Sequence, residues 1–492
     1  MSEKIKEPIS LRIKKKWVNS KPTTILLILI LITSFVALNL WIQSIDLAQI
    51  DVTENKVYSL TDASKKEIAN VNKDVKIYVY GYVEESSLVD LIKQYCRENG
   101  KITFEILTEE SNKGKVEEYA LADNYPVVIV ESEGTSTMID AQTEFNTYDY
   151  ATGQEVDLTE QTLTNTILNL TIKDKPKVYM LTGHGEYTEN QMSILTTYLK
   201  NEAYEYKSIN LLNESVIPKD CNVLLMMSPT SDLLENEIAM ILEYINNGGN
   251  IIYTKDTEEN GKIYPNYQKI LDVYGLSVEN GFVYETDAAS IVSGYPHILM
   301  PQIAPYSEIT SEIYSDGYLL FEYAQKVIMA DEEKANDLNV EYEKLLSSSE
   351  ESYYVTDVYS DITNVASTSN KESSDLAVIA TKTINPEKEE SEQKKSKIIV
   401  VGNGIFITDA IIDVVSQSYP ISYIGNNKDF MMNSIAFLTD RTDTLKIRKE
   451  MNTSTYAPNA QQDTIVRLII FGVPALIILA GIVVWNRRKK KR

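Results

Sequence analysis

Histidine and cysteine are nearly absent: the 492 residues hold two of each, His184 and His297, Cys96 and Cys221. The cysteines lie far apart and form no CxxC pair, so the sequence indicates neither a disulfide framework nor a zinc cluster. Two isolated histidines give no metal-ligand spacing either, and no metal or cofactor is expected. A G-x-x-x-x-G-K-[ST] motif is missing throughout, so any ATP hydrolysis has to come from another chain. Positive charge is scarce: 47 Lys and Arg stand against 71 Asp and Glu, a formal net charge of -24. Such a surface repels phosphate backbones, which excludes nucleic acid as a partner.

Basic residues concentrate at the two ends. Residues 1–42 hold Lys4, Lys6, Arg12, Lys14, Lys15, Lys16 and Lys21 against Glu3 and Glu7, and the chain closes on "RRKKKR". The middle is therefore near -35 by difference. Long apolar runs are confined to two places beside these clusters. "TTILLILILITSFVALNLWI", residues 23–42, has the length of about 20 residues needed to cross a hydrocarbon core of roughly 30 Å. A cleaved signal peptide would have a shorter apolar region ending in a small-residue site, and no A-x-A precedes Asp51. The second run, "LIIFGVPALIILAGIVVW", covers 468–485. Trp17, Trp41 and Trp485, the three tryptophans, sit at or close to the ends of these segments, where amphipathic rings favour the interface. Two membrane spans are expected, with basic tails 1–22 and 486–492 in the cytoplasm and the bulk of the chain outside.

The exterior reads as α/β. "VKIYVYGY", "KITFEIL" and "YPVVIVES" are strand-like, and the first two are separated by "SLVDLIKQYCREN", with Leu88, Leu91, Ile92 and Tyr95 at helical spacing. A short polar helix near Lys115–Leu121 precedes the third strand, which opens with Pro126. This β-α-β-α-β unit, placed at 51–150, looks like a thioredoxin-type domain without its CxxC; Cys96 lies near the end of the first helix.

A second unit is placed at 175–445. "KVYMLTG", "YEYKSINL", "CNVLLMMSP" and "NIIYTKD" are strands alternating with helices, one opened by a Thr188-x-x-Gln191 capping box and one stopped by Gly248 and Gly249. The alternation predicts a parallel, doubly wound sheet whose ligands lie beyond the carboxyl ends of the strands. His184, Pro229 and Asp256 all follow strand ends and fall on that edge. Residues 331–397 are rich in Ser, Glu and Lys and read as a largely disordered insertion, although "DLAVIATK" and "SKIIVVGNGIFITD" in and after it are strands that join the same sheet.

The order of "DVTENKVYSLTDAS", "YMLTGHGE", "LLMMSPTSDLLENEIAMILEYINNGGNIIY", "VVGNGIFITD" and "NNKDFMMNSIAFLTDR", followed by a final apolar run ending in Arg and Lys, resembles the GldG family of auxiliary subunits of ABC-type transport systems. The resemblance implies a large domain similar to the class I glutamine-amidotransferase-like (flavodoxin-like) fold. It also implies a non-catalytic role beside an ABC ATPase and a multi-span permease, in contact with membrane lipid.

The residues leave the site open among three readings. The turn Gly183-His184-Gly185-Glu186 is a structural corner, a ligand or partner contact, or a catalytic turn with His184 as base. The corner is favoured: the glycines reach backbone angles closed to other residues, the imidazole hydrogen-bonds backbone, and Glu186 sits at the positive end of a helix dipole. A nucleophile is hard to place, since Cys221 starts its strand instead of following it, and Ser228 follows one but is trailed by proline. Gly183, His184, Gly185, Glu186, Pro229 and Asp256 are therefore candidate contact residues, and His297 is a loop residue. The runner-up function is a membrane-tethered surface hydrolase or carbohydrate-binding module using the crevice near His184.

Overall fold

The computed structural model describes residues 59–442 apart from 122–125, 150–153, 259–260, 293, 315–316, 357–369 and 413–418, together with Thr33 and Ala37, both helical. Among the described residues no helix is long and apolar enough to cross a membrane. The spans expected at 23–42 and 468–485, and both basic tails, otherwise lie outside them.

The amino-terminal unit is built on four strands, β1 (Val75–Tyr80), β2 (Ile102–Leu107), β3 (Val127–Ser132) and β4 (Thr135–Asp140), in the order β2-β1-β3-β4. β1 and β2 are parallel, and β3 runs against both β1 and β4. That is the thioredoxin-type arrangement, with one strand more than the expected β-α-β-α-β, so the strand behind Pro126 is not the last. Four helices cover it: α1 (Asp62–Ala69), α2 (Ser87–Glu98), α3 (Lys113–Glu118) and α4 (Thr159–Thr171). α2 starts where Ser86 Oγ accepts from Val89 N at 3.3 Å, and it buries Leu88, Val89, Ile92 and Tyr95 at three- and four-residue spacing. α4 extends the unit past the expected boundary at 150. Its Leu163, Ile167 and Leu168 enter the same core, and Tyr95 Oη reaches Glu160 O at 3.0 Å and Thr164 Oγ1 at 2.7 Å.

The larger unit is built on an eight-stranded sheet: β5 (Lys177–Leu181), β6 (Glu205–Ile209), β7 (Cys221–Met227), β8 (Asn250–Thr254), β9 (Gln302–Ile303), β10 (Val340–Ser347), β11 (Asp375–Thr383) and β12 (Lys395–Val401). Their order is β9-β10-β11-β12-β8-β7-β5-β6. The five strands from β12 to β6 are parallel, and β11, β10 and β9 continue the sheet antiparallel. Alternation along each strand feeds two cores. Val178, Met180, Val223 and Leu225 face one layer, formed by α5 (Ser193–Asn201) and α8 (Asn427–Leu438). Tyr179, Leu181, Leu224 and Met226 face the other, formed by α6 (Glu235–Asn246) and α7 (Pro265–Asp272). Burial on both faces is why these strands read as unbroken apolar runs.

The expected disordered insertion is corrected by the structure. Residues 331–397 contain the helix Glu332–Leu338 and strands β10 and β11, and within them only 357–369 lie outside the described residues. Several serines there are buried, among them Ser348, Ser349, Ser352 and Ser374. Ser349 donates from N and Oγ to the buried Glu285 carboxylate at 3.0 and 2.7 Å, and Ser348 Oγ lies 2.7 Å from Ser352 Oγ. Small hydroxyl side chains meet an internal carboxylate and one another, so polarity here marks hydrogen-bonded interior instead of loop. His297 is likewise corrected from a loop to the strand Tyr295–Leu299.

Candidate functional site

The strand-end turn is formed by two left-handed glycines, Gly183 at φ +122° and Gly185 at φ +79°. Between them the His184 carbonyl turns toward the loop after β7, where it accepts from Thr230 N at 2.8 Å and Ser231 N at 2.9 Å. The capping box is present, but it opens a short 3-10 turn, Glu189–Gln191, ahead of α5.

The His184 side chain points inward and is only 6% exposed. Its Nε2 stands 3.0 Å from Glu237 Oε2, and Nδ1 stands 3.4 Å from Glu186 Oε1. This corrects the expectation of an imidazole bonded to backbone. Glu186 is corrected as well. It is buried, its Oε2 accepts from His184 N at 2.8 Å and its Oε1 from Tyr267 Oη at 3.0 Å, so it closes the turn and binds α7 instead of sitting on a helix dipole. Glu237 also accepts from Leu234 N at 2.8 Å and thereby caps α6. The imidazole thus joins the turn to α6 through Nε2, and the Glu186 carboxylate joins it to α7; among the described residues Nδ1 has no hydrogen-bond partner. A neutral tautomer can donate to only one of the two carboxylates; the imidazolium can donate to both.

The remaining expected residues lie along the same edge. Pro229 is buried and its carbonyl accepts from Lys255 Nζ at 3.2 Å. Lys255 is buried, pairs with Glu258 and lies over the Tyr264 ring, and its ammonium is pushed below the ordinary lysine range by burial. Asp256 Oδ1 accepts from Gly404 N at 2.6 Å and Ile405 N at 3.2 Å, while Oδ2 accepts from Tyr187 Oη at 2.8 Å. The loops after β5, β7, β8 and β12 are in this way tied to one another by the residues that the sequence places at strand ends.

Ser228 has a feature that the sequence does not disclose: φ is +48°, the left-handed backbone that a nucleophile on a strand-to-helix turn adopts. Its hydroxyl, however, lies 3.1 Å from Thr254 Oγ1, and Gly404 closes over it so tightly that a Cβ there would stand 2.0 Å from Ser228 Oγ. Cys221 is buried at the start of β7, with its thiol pushed up to about 12 by burial. The segment Phe321–Gln325 lies over the edge as well, with Gln325 N on Gly402 O and Asn403 Nδ2 on Glu322 O at 2.6 Å. Among the described residues no group of three or more His, Cys, Asp and Glu could hold a metal ion. The acidic run at 255–260 uses Glu258 for Lys255 and Tyr264, and 259–260 lie outside the described residues. Glu237 and Tyr267 are missing from the sequence-based set. An acid at the third position of α6 was the available signal for Glu237; Tyr267 had none.

A mostly parallel sheet with helices on both faces, and with these loops at the carboxyl edge, makes the large unit a doubly wound α/β domain. Solved structures similar to the chain include the mmIFT52 N-terminal domain, at 13% identity over 54% of this chain and 97% of that one, TM-score 0.36. Others are a ThuA-like protein from Parabacteroides merdae, at 11% identity over 54% and 91%, TM-score 0.29, and a glutamine amidotransferase from Thermotoga maritima, at 8% identity over 55% and 98%, TM-score 0.28. No curated protein sequence matches. Residues 175–434 match the model of the family described as "ABC-type uncharacterized transport system", and the chain belongs to that family of auxiliary components of ABC-type transport systems.

Proposed function

We propose that this chain is a membrane-anchored, non-catalytic subunit of GldG type, docked beside an ABC ATPase and a multi-span permease, with its two α/β units outside the cytoplasmic membrane. The family match over 175–434 carries the reading. Apolar runs at 23–42 and 468–485 with basic outer flanks support the two anchors and the orientation. Small residues in the second run, Gly472, Ala475, Ala480 and Gly481, suit close approach of a neighbouring helix, and Pro474 is placed to kink it. The non-catalytic role is supported by the packed surroundings of Ser228, by the raised Cys221 thiol, and by the inward turn of the His184 ring onto Glu237. Gly183, Gly185 and Thr230 are exposed on the same edge, which suits contact with a partner.

Topology is tested by single cysteines at Ser2 and Ser208 in a chain lacking Cys96 and Cys221. An impermeant thiol reagent on intact cells should label position 208 alone; labelling at position 2 would overturn the orientation. Association is tested by mild-detergent extraction of the tagged chain, which should bring the ATPase and permease with it, and less of both from a Gly481→Leu variant. Recovery of the chain alone, with ATPase and permease intact in the same extract, would favour a free-standing surface protein.

A further inference from the structure

The strap over the sheet edge carries an aromatic strip that the proposed transport role does not use. His297 and Tyr323 stack with ring centroids 4.6 Å apart and planes at 21°. Tyr295 meets His297 edge-on at 6.1 Å, and Phe282 meets Tyr323 edge-on at 5.4 Å. Phe282 is buried, whereas Tyr295 and Tyr323 are 36% and 39% exposed, so the strip runs from the interior to the surface. It is rigidly held. Tyr323 N donates to His297 O at 2.9 Å, Thr257 Oγ1 donates to Tyr323 O at 2.9 Å, and Ile298 and Leu299 pair with Glu322 and Phe321 as adjacent strands. Tyr323 itself sits at φ +53°, a conformation that costs a tyrosine and would cost glycine nothing. Strain of that kind persists where a side chain has to be presented in one place.

The polar tips of the strip complete the observation. Among the described residues the hydroxyls of Tyr295 and Tyr323, the ring nitrogens of His297 and the carboxylate of Glu322 have no hydrogen-bond partner. Glu322 is within electrostatic reach of Tyr323, Tyr187 and Asp256. An apolar partner lying on the strip would bury these groups unpaired, which is unfavourable. A phosphate or carboxylate ligand would meet Glu322 and Asp256, both acidic. A pyranose ring offers what the strip lacks, a C–H face for the aromatic surface and hydroxyls that both donate and accept. We propose that Tyr295, His297 and Tyr323, with Glu322 at their rim, form a binding site for a neutral saccharide. Burial holds the His297 imidazole below its ordinary range, and burial with the Asp256 charge holds the Glu322 carboxyl above its own. The site needs only that this face meets solvent, and it stands or falls independently of any ATPase or permease.

The test is calorimetric titration of the full, detergent-purified chain with cellotetraose, maltotetraose and tetra-N-acetylchitotetraose. At least one should bind saturably. Tyr323→Gly, which removes the ring while relaxing the backbone, should weaken it by about tenfold or more without lowering the melting temperature. Tyr306→Ala, which removes a ring that is 96% exposed and outside the strip, should leave binding unchanged. The proposal is overturned if none of the three saturates by about 10 mM, or if Tyr323→Gly binds as the wild type does. Binding of choline chloride with the same dependence on Tyr323, and of no saccharide, would replace it with a cation site.

Discussion

Replacing His184 with alanine tests the buried cluster that ties the turn to its neighbours. The imidazole and the Glu237 carboxylate are 6% and 0% exposed, so solvent does not screen their contact. Without the ring, Glu237 Oε2 keeps only Leu234 N, and Oε1, which has no partner to begin with, still has none. Breaking a buried pair by removing one member costs about 3–5 kcal/mol, because the other is left uncompensated. That exceeds the 0.5–3 kcal/mol or so of an ordinary substitution at a turn. In a unit of this size a loss of 1 kcal/mol lowers the melting temperature by about 2 °C, so the variant should melt about 6–10 °C lower by scanning calorimetry. A double-mutant cycle with Glu237→Ala should give a coupling above about 1 kcal/mol. A melting temperature within about 1 °C of wild type, or additive single effects, would refute the cluster as a structural tie. A His184→Ala chain that melts normally yet loses a measurable activity would return the histidine to catalysis.

Gly404→Ala should destabilise by about 1–3 kcal/mol through overpacking, since its Cβ would stand 2.0 Å from Ser228 Oγ and 2.7 Å from Thr254 Oγ1. Ser228→Gly removes the obstructing hydroxyl and relaxes the left-handed backbone, so in urea titrations the double variant should be more stable than Gly404→Ala alone. The Cys221 thiol is raised by burial from 9.0 to about 12, so the folded chain holds this proton longer than the unfolded one. The stability it contributes is complete below about pH 9 and is lost as pH climbs from there toward about 12. Comparison with Cys221→Ala across that window should show the wild type falling more steeply; parallel curves would contradict it.

Much of the frame is legible in the sequence because parallel strands buried on both faces leave uninterrupted apolar runs, as in Val223–Met227 and Ile398–Val401. The strand-end residues were likewise in view, since His184, Pro229 and Asp256 each follow such a run. What they touch was not. Glu237 lies 53 residues beyond His184, and Tyr267 lies 81 beyond Glu186, distances over which local pattern is silent. The region 331–397 misled for a chemical reason: serine and glutamate are counted as solvated, but Ser349 and Glu285 satisfy one another inside the fold, 64 residues apart. The amino-terminal boundary erred because α4 is rich in threonine, and its burial depends on hydroxyl contacts such as Thr164 with Tyr95.

The central claim is that this chain is a docked subunit with no catalysis of its own, and reconstitution from separately purified parts tests it most directly. The full chain, mixed in mild detergent or lipid nanodiscs with an ABC ATPase and permease recovered with it, should form a discrete complex by light scattering. It should change the rate of ATP hydrolysis by that complex while hydrolysing none alone. No complex at concentrations of about 10 µM, with the permease and ATPase still assembling together and hydrolysing ATP at the same rate without it, would contradict the account.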